Sequence, residues 1–171
     1  GNLSRIKLIP ALYHLESAGM LDEQVKIICC GRQEFGLKLW LDEVEKSVRE
    51  YSRDEWKAEV FDRFCSRVSY FSGDYTEAET FIKLKELLAL GYPGNHAFYL
   101  SLPPEFYVRV VEALGKNDML KEHKNWRRVV IEKPFGRDLE SAVSLQKMLQ
   151  KHLKEHQTYR IDHYMGKAMV Q

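Results

Sequence analysis

A chain of 171 residues with 44% hydrophobic side chains has the length of one domain and enough apolar surface for a core of its own. Its formal net charge of +1 excludes a broad field of one sign for nucleic acid or an anionic membrane, so any anion site must be local. No apolar run reaches the roughly 18 residues of a membrane span and no signal peptide opens the chain. Cys29, Cys30 and Cys65 have neither disulfide-framework nor zinc-ligand spacing and fit a reducing cytoplasm.

In chain order, the first residues enter a helical pattern with Leu3, Ile6, Leu8, Leu12 and Leu15 on one side. Asn2 or Ser4 is placed to cap it, and Pro10 is tolerable only in a first turn or at a kink. Residues 25–30 (VKIICC) read as a continuous buried strand of the parallel kind, followed by the turn Gly31-Arg32-Gln33. Residues 37–51 and 54–64 read as two amphipathic helices, the first presenting Leu37, Trp40, Leu41, Val44 and Val48, the second Trp56, Val60, Phe61 and Phe64. A short strand over 68–71 precedes a helix over 76–90 with Phe81, Leu84, Leu87 and Leu88 inward, and residues 91–95 are a turn. A strand over 96–102 ends at Pro103-Pro104, which suits the first turn of the helix that follows. Residues 127–132 (RRVVIE) form a strand ending at Lys133-Pro134. Asp138 then caps a helix to about residue 152 through Leu139, Val143, Leu145, Leu149 and Leu153, and residues 157–161 are the last strand. This alternation predicts an α/β fold with a Rossmann-like doubly wound parallel sheet. In such a sheet ligands lie beyond the carboxyl ends of the strands, which here carry Arg32, Asp74, Leu102, Lys133 and Asp162.

Three of these ends hold residues able to do chemistry. Arg32 stands two residues past a strand, where a dinucleotide fold meets the adenosine ribose; its planar fork suits a 2′-phosphate, and a solvated turn arginine is the alternative. Lys133, followed by Pro134, is either a positioned hydrogen-bond donor or a solvated turn lysine. The stretch from Tyr159 to Lys167 sets Asp162, His163, Tyr164 and Lys167 within six positions. If a helix begins near His163, then His163 and Lys167 share a face with its N-terminal amides and form a phosphate seat, while Asp162 is better suited to orienting an imidazole. A strand end with a core histidine is the alternative. His152 and His156 are also four apart, but Lys151 and Lys154 beside them oppose a metal cation, and no metal is expected.

Taken together the motifs resemble the N-terminal part of glucose-6-phosphate dehydrogenases. Residues 160–167 are similar to that family's RIDHYLGK with Met165 for leucine, and residues 132–136 to its EKPFG without change. Residues 98–104 (FYLSLPP) resemble FYLALPP, and residues 1–7 resemble GDLAKRK with Asn2 and Ile6 as departures; Ala168 departs from the family's glutamate. The resemblance covers essentially the whole chain. It implies oxidation of glucose 6-phosphate at C1 with hydride transfer to NADP. By it, Gly1, Asn2, Leu3, Arg32, Asp74, Tyr75, Tyr99 and Lys133 are the cofactor-binding residues, and Lys7, Lys133, His163, Tyr164 and Lys167 bind the sugar phosphate. Asp162 and Lys133 are catalytic, Asp162 orienting a general-base histidine that none of the six histidines here supplies.

Against that family the chain is expected to lack the first strand of its sheet and the larger C-terminal α+β domain, and to be inactive alone. Residues 1–171 are then a partial NADP-binding domain, and the full-length protein a cytoplasmic homodimer or homotetramer without nucleic-acid or membrane partners. A first strand is central in a doubly wound sheet, so its lack leaves apolar strand edges that a segment from elsewhere must cover. Two other readings are a catalytically silent Rossmann-like binding or assembly module, and a short-chain reductase using Tyr164 and Lys167, whose spacing of three is one short for such a couple.

Overall fold

The computed structural model describes residues 3–133, 135 and 138–161. These form two compact units, residues 1–75 and 76–171. In the first unit a π-helical turn, Ser4–Leu8, runs into α1 (Ile9–Ser17), followed by β1 (Ile27–Gly31), α2 (Leu37–Tyr51), α3 (Ala58–Cys65) and β2 (Val68–Ser72). The second contains α4 (Ala78–Gly91), β3 (His96–Tyr99), a 3-10 turn at Pro104–Phe106, α5 (Tyr107–Lys116), β4 (Arg127–Glu132), α6 (Leu139–Gln150), a 3-10 turn at Glu155–Gln157 and β5 (Thr158–Ile161).

All strand pairings among the described residues are parallel, and strands alternate with helices, as the sequence predicts. β1 pairs with β2, from Ile27 opposite Val68 to Gly31 opposite Ser72. In the second unit the order is β3-β4-β5, with Tyr99 opposite Val130 and Glu132 opposite Ile161. Both strands of the first sheet, and β3 and β5 in the second, have one side that pairs with no described strand.

The helical pattern of α2 folds over the residues read for it. In α2, Trp40, Val44 and Val48 recur at intervals of four and are buried, while Glu45 and Arg49 pair at 2.7 Å on the solvent side. They join Ile9, Tyr13, Val60, Phe61, Phe64 and Val68 in the core of the first unit. Leu37, expected on that face, is 67% exposed.

Two faces differ from expectation. In the opening helix the buried residues are Ile9, Pro10, Tyr13 and Glu16, not the line begun by Leu3 and Ile6. Pro10 has no N–H to give to the carbonyl four residues back, and the wider π turn before it, closed by Ile9 N–H on Ser4 O, shifts the phase of everything downstream. In α6, Leu139 and Val143 face solvent and Leu149 alone is buried; Asp138 caps the helix as predicted, accepting from Ser141 N–H at 2.8 Å. β1 is shorter than read and only half-buried, because one of its sides pairs with no described strand. No helix among the described residues is long and apolar enough to cross a membrane.

Candidate active site

In the first unit the carboxyl ends of β1 and β2 lie side by side. Gly31 is opposite Ser72, and Gly73 gives its backbone N–H to Gly31 O at 2.8 Å. Arg32 follows at once, exposed, with no hydrogen bond or ion pair to another described residue. The next carbonyl is doubly held: Gln33 O accepts from Tyr70 Oη at 2.7 Å and from Ser72 Oγ at 3.2 Å. Asp74 and Tyr75 come directly after β2, half-buried, each engaged in a further interaction. Leu3 is half-buried at the head of the opening helix, and Lys7 is exposed one turn later. Arg32 and Asp74 are thus brought to adjacent strand ends by the β1–β2 register.

In the second unit the site is built on the end of β4. Glu132, the last residue of the strand, is 6% exposed, and its carboxylate accepts from Tyr99 Oη at the end of β3. Burial first, and then the bond to Glu132, push the Tyr99 phenol well above its ordinary value, so it keeps its proton and remains the donor. β3 ends before it can pair with Glu132, and a side chain takes its place. The Tyr107 hydroxyl, at the start of α5, donates to Glu132 O at 3.2 Å and receives Glu132 N–H at 3.4 Å. On the opposite edge Lys133 N–H continues the ladder to Ile161 O at 3.3 Å. The backbone at Glu132-Lys133 is therefore fixed from both sides while the Lys133 side chain is exposed. A cation on a fixed backbone can donate to an oxygen of a bound ligand with only its side chain left to be ordered.

Of the expected site residues, Gly1, Asn2, Asp162, His163, Tyr164 and Lys167 lie outside the described residues, as does Pro134. Among the described residues there is no group of three metal-ligating side chains. His156, paired with His152 in the sequence pattern, instead meets Glu122 at 2.7 Å. Burial, and secondarily the neighbouring Cys30, raise the Cys29 thiol to about 12, which disfavours its thiolate.

Sequence reasoning assigned no role to Tyr70, Glu132 or Tyr107. Glu132 carried a signal, an acid closing an apolar strand, since a buried carboxylate needs a donor. Tyr70 and Tyr107 carried none, because their partners lie 37 and 25 residues away.

The family model described as the NAD binding domain of glucose-6-phosphate dehydrogenase matches residues 1–171. A glucose-6-phosphate 1-dehydrogenase of Chlamydia pneumoniae is 38% identical over all of this chain and 35% of its own length. That of Schizosaccharomyces pombe is also 38% identical, over all of this chain and 35% of its own length. A crystal structure of glucose-6-phosphate 1-dehydrogenase from Mycobacterium avium superposes with a TM-score of 0.87 at 36% identity, covering 97% of this chain and 34% of that one. A glucose-6-phosphate dehydrogenase in complex with its substrate glucose-6-phosphate gives 0.84 at 34% identity, over 99% of this chain and 36% of that one. The chain spans about a third of the length of these relatives. With parallel α/β architecture, a cation at the end of β4 and a match along its full length, the chain belongs to the glucose-6-phosphate dehydrogenase family, within the part described as its NAD binding domain.

Proposed function

We propose that residues 1–171 form the NADP-binding domain of an enzyme that oxidises D-glucose 6-phosphate to 6-phospho-D-glucono-1,5-lactone, the first step of the oxidative pentose phosphate pathway. The observation that carries this reading is the end of β4, where Lys133 stands exposed on a backbone held by Ile161 O on one edge and by the Tyr107 hydroxyl at Glu132 on the other. The likeness to a solved glucose-6-phosphate dehydrogenase that holds glucose 6-phosphate supports the substrate.

The donor chemistry fits a dinucleotide bearing a 2′-phosphate. Arg32 offers a guanidinium with no partner among the described residues, directly after a parallel strand, and a guanidinium fork matches a phosphate's oxygens. Arg32, with Asp74 and Tyr75 beside it, would hold the adenosine end; Tyr99 and Lys133 would line the nicotinamide end, and Gly1, Asn2 and Leu3 the pyrophosphate. When bound, NADP supplies the acceptor for the hydride that leaves C1 of the sugar.

The chain's own residues bind and orient. Lys133 donates to both cofactor and sugar, Lys7 lies near the substrate, and His163, Tyr164 and Lys167 take the sugar phosphate as three donors. Asp162 orients the imidazole that removes the C1 hydroxyl proton, a histidine contributed from outside this chain. The reading extends to a cytoplasmic homodimer or homotetramer that binds neither nucleic acid nor membrane. Titration of the full-length protein with NADP, NAD and glucose 6-phosphate tests it: saturable binding of glucose 6-phosphate, with NADP bound more tightly than NAD, is expected. Absence of sugar-phosphate binding contradicts the substrate, and equal or tighter NAD binding contradicts the cofactor.

A further inference from the structure

We propose that Tyr70 is a positioning residue for Arg32, holding the turn after β1 in the shape that presents the guanidinium to the cofactor's 2′-phosphate, and that Gly31 is there to admit it. The proposal rests on the reading of Arg32 given above and goes beyond it, naming the residues that confer the preference for the phosphorylated dinucleotide.

Tyr70 sits on β2 opposite Cys29, two residues before the strand end. Its ring is fixed by aromatic neighbours, tilted at 34° against Trp40 with centroids 4.6 Å apart and edge-on to Phe35 at 5.2 Å. From that position the hydroxyl reaches across the end of β1 and donates to Gln33 O at 2.7 Å. Its path crosses Gly31. A Cβ on residue 31 would lie 2.6 Å from Tyr70 Oη and 3.4 Å from Cζ, so a side chain there and the phenol where it stands exclude each other. Gly31 does not need a glycine for its backbone angles, since its φ is outside the positive range; it needs one for room. On the other side of Arg32, Gly31 O is tied to Gly73 N–H at 2.8 Å.

Arg32 is therefore an exposed side chain between two anchored residues. Holding its backbone before the ligand arrives removes part of the ordering cost of binding a phosphate. NAD, which lacks that phosphate, gains nothing from the arrangement. The phenol consequently acts on selectivity and not on dinucleotide binding in general.

The test is the dissociation constant of NADP and of NAD for the full-length protein and four variants. Tyr70→Phe keeps the ring and its packing and removes only the hydroxyl. It should weaken NADP roughly fivefold while leaving NAD within about twofold. Gly31→Ala, which displaces the phenol by a separate route, should lower the NADP to NAD preference in the same direction. Arg32→Ala should abolish most of the preference, and Tyr70→Phe added to it should cause no further loss. If Tyr70→Phe leaves NADP binding unchanged, or weakens NADP and NAD equally, or adds its effect to that of Arg32→Ala, the proposal is overturned with the Arg32 reading intact. If Arg32→Ala itself retains the preference, the Arg32 reading fails and the role of Tyr70 falls with it.

Discussion

Replacing Tyr107 with phenylalanine isolates what holds the end of β4. The ring is 1% exposed and keeps its place, so the change deletes one oxygen and no packing. That oxygen is the partner of both backbone groups of Glu132 on the edge that β3 does not reach, accepting at 3.4 Å and donating at 3.2 Å. The longer contact is weak, and the main loss is the carbonyl's donor; leaving a buried group unsatisfied costs about 1–3 kcal/mol. For a chain of this size each kcal/mol lowers the Tm by roughly 2–4 °C. Thermal unfolding of wild type and Tyr107→Phe should therefore differ by several degrees, and kcat/KM of the full-length enzyme should fall as the Lys133 backbone loosens. An unchanged Tm with unchanged kcat/KM would refute the idea that this hydroxyl stands in for the pairing β3 does not supply.

Other perturbations read different parts of the structure. Glu16 is 4% exposed, its Oε1 accepts from Arg63 Nε at 3.1 Å, and its Oε2 forms an ion pair with Arg67 Nε at 2.7 Å without a hydrogen bond of its own. Arg67→Met should destabilise the chain by about 3 kcal/mol in urea unfolding, because it strips a buried carboxylate of its closer and more buried counter-charge; a loss below about 1 kcal/mol would mean that the Arg63 hydrogen bond alone suffices. The Glu122 carboxyl is held down to about 2, from an ordinary 4.5, by its hydrogen bond to His156, then the Arg127 N–H, then Arg128. A carboxyl with a depressed folded value contributes stability above about 4.5 that is lost as pH falls toward about 2. Wild type should lose more Tm than Glu122→Gln across that window, and parallel curves would contradict the assignment.

How far the sequence spoke depends on the range of the interaction. α2 and β4 match their reading to the residue because Trp40, Val44 and Val48, and the run Arg127 to Glu132, are local patterns that tertiary contacts reinforce. α1 was misphased because a π turn before Pro10 breaks the assumption of a constant 3.6-residue period. The buried Glu16 was invisible for another reason, since its partners Arg63 and Arg67 come from α3 and the turn after it. The positions of Arg32 and Lys133 were legible because each directly follows the carboxyl end of a parallel strand within its own sheet. What supports them was not: Tyr70 is defined by the β1–β2 register and the lack of a Cβ at Gly31, and Tyr107 by a strand that ends two residues too early.

Reduction of NADP by the full-length protein with glucose 6-phosphate, followed as NADPH absorbance for wild type and Lys133→Ala, tests the role of Lys133 and the proposed reaction most directly. Wild type should turn over, and the variant should show a fall of roughly a hundredfold or more in kcat/KM with the fold and the Tm retained. Wild-type protein that does not reduce NADP with this sugar would contradict the reaction, and a Lys133→Ala enzyme as active as wild type would contradict the role of Lys133.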